Sequence, residues 1–255
     1  MHRASTPRAP LAVLALIATA GLMPLASPAA AQITPGSTLV FSGTADATDI
    51  GSDGVLLSFL REVTADPSAN TGAFAALNAE EHGASGTMEP LVVGHGPQPI
   101  ESFLQIGGYT FALASVPSGP YGQDDCYVAP AVGQRCTPYQ LPAYELSPFY
   151  LENLAAGGSD ALFTALVSFD VQGTVTGHGA TSAFAGTFTT RFEGLSYQEA
   201  LVGLERSGLH DVPFTGRFVA TASTSVAPEP STIVLVATGL AGVAVAVRRR
   251  RVRGG

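Results

Sequence analysis

The sequence predicts a mainly β fold, an antiparallel β-sandwich or barrel with one short helix, set between an N-terminal signal peptide and a C-terminal transmembrane helix. Three observations carry this expectation. All 13 Phe and 7 Tyr lie between Phe41 and Phe218, so one central stretch holds the bulky residues that a core requires. Within it, apolar residues recur mostly at every second position, the period of a strand with one buried face. Each end of the chain carries instead a continuous apolar run beside arginines. The 255 residues accordingly divide into a signal peptide at 1–31, an exported β-rich domain at 32–225 and a tail at 226–255.

Arg3 and Arg8 precede an apolar stretch from Leu11 to Ala26, and Ala29, Ala30 and Ala31 supply small residues before Gln32. Basic, apolar and small-residue regions in that order form a secretory signal. Its processing predicts passage through the general secretion machinery and cleavage by signal peptidase between Ala31 and Gln32.

Strands are expected near Thr38 to Ala45, Val55 to Val63 and Thr87 to Val93. A hairpin from Ser102 to Ser115 turns at Gly107-Gly108, which pairs Ile106 with Tyr109 and Leu104 with Phe111 and places all four on one face. From Phe163, Ala165, Val167, Phe169, Val171 and Val175 share a face, with Thr164, Ser168, Asp170 and Gln172 on the other. Phe184, Phe188 and Phe192 follow with Gly186 and Thr190 between them, and a last strand covers Pro213 to Thr221. The pattern Phe-x-Gly recurs at Phe41, Phe184 and Phe214. A glycine between aromatics leaves bare backbone for a neighbouring ring to cover.

One helix is expected. Ser196 and Glu199 form a capping box, Tyr197, Leu201 and Leu204 share a face, and Gly208 stops the run. The stretch from Tyr121 to Pro148 is rich in proline and reads as a long irregular surface loop. It holds the only cysteines, Cys126 and Cys136, which an oxidising compartment lets pair. Closing so short a loop stabilises a fold by about 2 to 3 kcal/mol in the chain-entropy account.

Charge excludes one class of partner. From Gln32 to Ala227 there are 19 acidic residues against five Arg and no Lys, a formal charge of −14 where the whole chain carries −8. Such a surface repels phosphate backbones, so no nucleic-acid partner is expected.

Local catalytic motifs are missing, with no Gly-x-Ser-x-Gly elbow, His-Glu-x-x-His helix or phosphate-binding glycine loop. His82, His95, His178 and His210 lack ligand spacing, and the adjacent Glu80, Glu81 and His82 cannot all face one ion from regular structure. No metal or other cofactor is expected on these grounds. Asp46, Asp49 and Asp53-Gly54 could offer hard oxygens to Ca²⁺, without the spacing of an EF-hand loop. Asp124-Asp125 could serve glycoside hydrolysis only if two carboxyls faced each other across a substrate.

The tail has three parts. Pro228-Glu229-Pro230 keeps Glu229 out of regular helix, residues 232–247 form an apolar span, and Arg248, Arg249, Arg250 and Arg251 begin a basic end at 248–253. The 16 residues of the span extend about 24 Å as a helix, short of a hydrocarbon core about 30 Å thick. Arginines that snorkel extend it, and the basic cluster fixes the topology with the main domain outside.

This arrangement resembles the PEP-CTERM sorting signal in its Val226 to Thr232 run around Pro228-Glu229-Pro230, its apolar helix and its terminal arginines. The resemblance implies recognition by an exosortase, which cuts near the motif. It also implies an inner-membrane anchored precursor, then an outer-surface or extracellular product, with a link to exopolysaccharide or biofilm. The expected function is a non-enzymatic cell-envelope or extracellular-matrix component with membrane and exopolysaccharide as partners. A secreted hydrolase acting on exopolysaccharide and a Ca²⁺-dependent binding module are the alternatives.

Overall fold

The computed structural model describes residues 33–51, 54–94, 99–140, 145–157 and 163–222. The signal peptide, the Ala31/Gln32 cleavage site, the Pro228-Glu229-Pro230 motif, the 232–247 span and the basic end from Arg248 lie outside the described residues. Asp53 and His95 do so too.

The strands in chain order are β1 (Thr38–Asp49), β2 (Gly54–Ala65), β3 (Ser85–Met88), β4 (Leu91–Gly94), β5 (Ile100–Ile106), β6 (Tyr109–Ser115), β7 (Arg135–Cys136), β8 (Tyr139–Gln140), β9 (Glu145–Leu146), β10 (Tyr150–Ala155), β11 (Phe163–Gly177), β12 (Ala180–Glu193) and β13 (Leu209–Thr221). A 3₁₀ helix (Gly72–Ala79) lies between β2 and β3, and helix α1 (Tyr197–Ser207) between β12 and β13. Hydrogen bonding runs β12-β13-β1-β2-β3-β5-β6-β11, and β11 pairs back to β12, so eight strands close a barrel. The sequence left sandwich and barrel open, and this closure decides for the barrel.

The longest hairpin, β11–β12, keeps one register from Thr164↔Glu193 to Gly177↔Ala180. His178 and Gly179 make its two-residue turn with φ of 51° and 77°, as the primed hairpin turns require. The Gly107-Gly108 hairpin has the expected pairs Ile106↔Tyr109 and Leu104↔Phe111.

Three expectations need correction. The strand expected from Thr87 to Val93 is two strands, because Pro90 has no N–H to continue a ladder; β3 bridges β2 and β5, while β4 pairs with β2 alone. A second short helix, the 3₁₀ turn, joins the one anticipated. Thr164 and Ser168 lie on the polar side of β11 yet are buried, with Thr164 bonded to Glu193 and Ser168 to Thr189.

Phenylalanines fill the lumen around the glycines. A Cβ on Gly216 would strike the Phe41 ring and one on Gly186 the Phe218 ring, so each ring lies on bare backbone. Phe41 packs edge-on to Phe218 at 5.0 Å, and Phe184 stacks on Phe218 at 4.8 Å.

Two strands change partners along their length. β2 pairs with β3 at Val63 and Thr64 but with β4 from Gly54 to Leu57. β11 pairs with β6 from Gln172 to Gly177 but with β10 from Phe163 to Ser168. The wall therefore splays at the end where β4 and β10 take over. The opposite end is sealed by the 3₁₀ helix, whose Phe74 is fully buried 4.9 Å from the Tyr109 ring and 5.9 Å from that of Phe111.

Candidate functional site

The splayed end holds a cavity of about 710 Å³. Its walls come from Ala45 and Ala47 of β1, Leu57 and Phe59 of β2, Val167 and Phe169 of β11, and Phe188 and Phe192 of β12; Phe214 of β13 and Phe149 complete the ring. The inward series on β1 explains the space. Leu39 and Phe41 fill the sealed end, whereas Ala45 and Ala47 leave the other end without bulk.

Helix α1 lies over this opening. Ser196 and Glu199 cap it reciprocally: the Ser196 hydroxyl accepts from the Glu199 N–H, and the Glu199 carboxylate accepts from the Ser196 N–H at 2.8 Å. The Ser196 N–H and the Ser196 hydroxyl both donate to the Glu199 carboxylate and hold it below its ordinary value of 4.5. Leu201 and Leu204 line the cavity and stay only partly buried, as side chains facing a hollow rather than a packed core do.

The N-terminal end of α1 is tied to the wall and to the cysteine loop. Asn153 of β10 is fully buried, accepts the Tyr197 N–H at 2.8 Å and donates to Gln198 at 3.0 Å. The Tyr197 hydroxyl donates to the Asp125 carbonyl at 2.7 Å; burial, then the Asp125 charge, push its pKa up to about 12. Cys126 and Cys136 are bonded and buried, with Cα atoms 5.3 Å apart, and they pack with Tyr197, Leu151 and Ala165 in a second small core. Among its described residues the region from Tyr121 to Pro148 is thus an irregular loop with three two-residue strands, tied through the Tyr197 hydroxyl to the helix that covers the cavity.

On the flank of the same end, Tyr150 donates to Asp170 at 3.1 Å and Thr187 donates to it at 2.6 Å. Burial and the Asp170 charge raise the Tyr150 phenol to about 12, so the group is a structural donor. Arg135 pairs with Glu152 at 2.8 Å and lies 5.6 Å from the Tyr121 ring centre.

The candidate residues named from the sequence are dispersed. Asp46 accepts from the Asp211 N–H and sits 3.5 Å from His210, while Asp49 accepts from the Gly51 N–H. Glu80, Glu81 and His82 are exposed just after the 3₁₀ helix, and His178 sits in a hairpin turn against Tyr109. Among the described residues no three His, Cys, Asp or Glu side chains come together as a metal site. Among them, too, no helix is long and apolar enough to cross a membrane.

Sequence reasoning missed the cavity. The signal that could have found it is the taper of β1 from Leu39 and Phe41 to Ala45 and Ala47, opposite a helix whose apolar face holds Leu201 and Leu204.

Residues 226–251 match the family model described as a PEP-CTERM protein-sorting motif. No curated protein and no solved structure matches the chain. The chain therefore contains a PEP-CTERM sorting motif, which supports an exported protein sorted by an exosortase from a membrane-anchored precursor.

Proposed function

We propose that the barrel is a non-enzymatic component of the cell envelope or extracellular matrix, delivered by its sorting tail and working alongside exopolysaccharide or within a biofilm. The observation that carries this reading is the sorting motif at 226–251, directly behind the last barrel strand, which ends at Thr221. The chemistry of the barrel supports it. The cavity at its splayed end is walled mainly by Phe, Leu, Val and Ala, with Asp49, Ser147, Thr190 and Glu205 among its few polar side chains, where a glycan-cleaving cleft would present many polar groups to sugar hydroxyls. The adjacent pair Asp124 and Asp125 lies on the cysteine loop, outside the described lining of the cavity. The acidic surface suits a soluble exterior that resists self-association.

The test is intact mass and fractionation of the protein in its native host, comparing wild type with Glu229→Ala. The wild type should begin at Gln32, lack the terminal arginines and occur at the cell surface or in the medium, and Glu229→Ala should remain uncut in the inner membrane. Wild-type protein that keeps its full C-terminus in the inner membrane would reduce the motif to an anchor and remove the support for a matrix role.

A further inference from the structure

We infer that the cavity at the splayed end of the barrel is a binding site for a single-chain lipid with an uncharged head group, a ligand of the long-chain alcohol type. This goes beyond the sorting role and does not depend on how the tail is processed. Four observations lead to it.

The first is size. A volume of about 710 Å³ lies within the range of roughly 300 to 1,000 Å³ usual for small-molecule sites. At about 30 Å³ per water, it equals some two dozen waters, room for a ligand of about as many heavy atoms and too little for a two-chain lipid. The second is wall chemistry. Phe59, Phe149, Phe169, Phe188, Phe192 and Phe214 dominate the lining, and an apolar space of this kind gains nothing from water and binds apolar molecules.

The third is charge. The ionisable side chains of the lining include the carboxylates of Asp49 and Glu205, and no Lys, Arg or His is among its described residues. A fatty-acid carboxylate would meet these two like charges and, among the described lining residues, no cation to pair with, a cost that a hydroxyl head avoids. The fourth is construction. The hollow lies beneath a helix that is capped, tied through Asn153 and backed by a disulfide-bonded loop, so its cover is held in place by groups outside the lining's apolar core.

The experiment uses the full chain in cell membranes with two photoreactive probes of equal length, a diazirine-bearing hexadecanol and the matching hexadecanoic acid, with cross-linked residues mapped by mass spectrometry. The alcohol should label residues around Leu204, Phe149 and Phe214, and the acid should label them at least tenfold less. Ala47→Phe, which fills the space from β1, should abolish that labelling while the Cys126–Cys136 bond still forms. Glu205→Lys changes an exposed helix position and should raise labelling by the acid several-fold without altering the fold. Labelling spread over the outer strand faces, equal labelling by both probes, an unchanged pattern in Ala47→Phe, or acid labelling unmoved by Glu205→Lys would each overturn the assignment.

Discussion

At one end of the barrel the 3₁₀ helix inserts Phe74 against Tyr109 and Phe111, and the Tyr109 hydroxyl donates to the Ala73 carbonyl at 2.6 Å to hold the plug in place. At the other end α1 presents Leu201 and Leu204 to a space that the surrounding side chains leave unfilled. Both helices cover an opening, so a covering helix alone does not decide what the lumen contains. The decision lies with the strands: Leu39 and Phe41 face inward at the plugged end, Ala45 and Ala47 at the hollow one. The sealed half behaves as a packed core, and the splayed half as a receptacle.

This contrast is open to attack by mutation, and the largest effect belongs to the sealed end. Phe74→Ala should cost about 3 to 5 kcal/mol in denaturant unfolding, the range for deleting a fully buried ring, whereas Leu204→Ala at the hollow end should cost less than about 1 kcal/mol. Equal losses would dissolve the distinction. Replacing Cys126 and Cys136 together by Ser should cost about 2 to 3 kcal/mol through the ten-residue separation and should loosen α1, read as faster hydrogen exchange at Tyr197 and Ala200.

Added volume gives the next comparison. Gly216→Ala puts a methyl into the Phe41 ring and should destabilise by about 1 to 3 kcal/mol, while Ala45→Leu extends into open space and should leave stability within about 1 kcal/mol of wild type. Thermal unfolding of the two variants side by side measures the difference.

The smallest effect is electrostatic and sharpens the account of the α1 cap. The Glu199 carboxyl is depressed in the folded protein by its bonds to Ser196, so its contribution is fully present above its ordinary value of 4.5 and is lost as pH falls through the lowered folded value. Glu199→Gln should lower stability at neutral pH by a small amount and flatten the acid limb of a stability-against-pH curve, so that variant and wild type converge at low pH. An identical acid limb in the variant would remove Glu199 from the cap.

The sealed half was the more legible in sequence. The Gly107-Gly108 turn, the alternation of β11 and the Phe-x-Gly repeats each depend on neighbours along the chain, and each is realised in the strands that carry it. The capping box of α1 was legible for the same reason, its two bonding partners being three residues apart. The hollow half depends on groups far apart in sequence. Asn153 binds a helix 44 residues away, Tyr197 reaches 72 residues back to Asp125, and the exchange of β6 for β10 along β11 is a matter of tertiary pairing. Local periodicity contains no term for such contacts, so the cavity came only from the fold, although the helix that covers it was legible as an element that covers a sheet face or closes a barrel end. The sorting tail is the opposite case, readable because its function resides in a contiguous motif.

The most direct test of a barrel packed at one end and hollow at the other is diffraction from crystals pressurised with xenon, which enters dry apolar cavities and is excluded from packed cores. Xenon should occupy the space between Phe188, Phe214 and Leu204 and be absent among Phe41, Phe111, Phe184 and Phe218. Xenon in both halves, or in the Phe41 half alone, would contradict it.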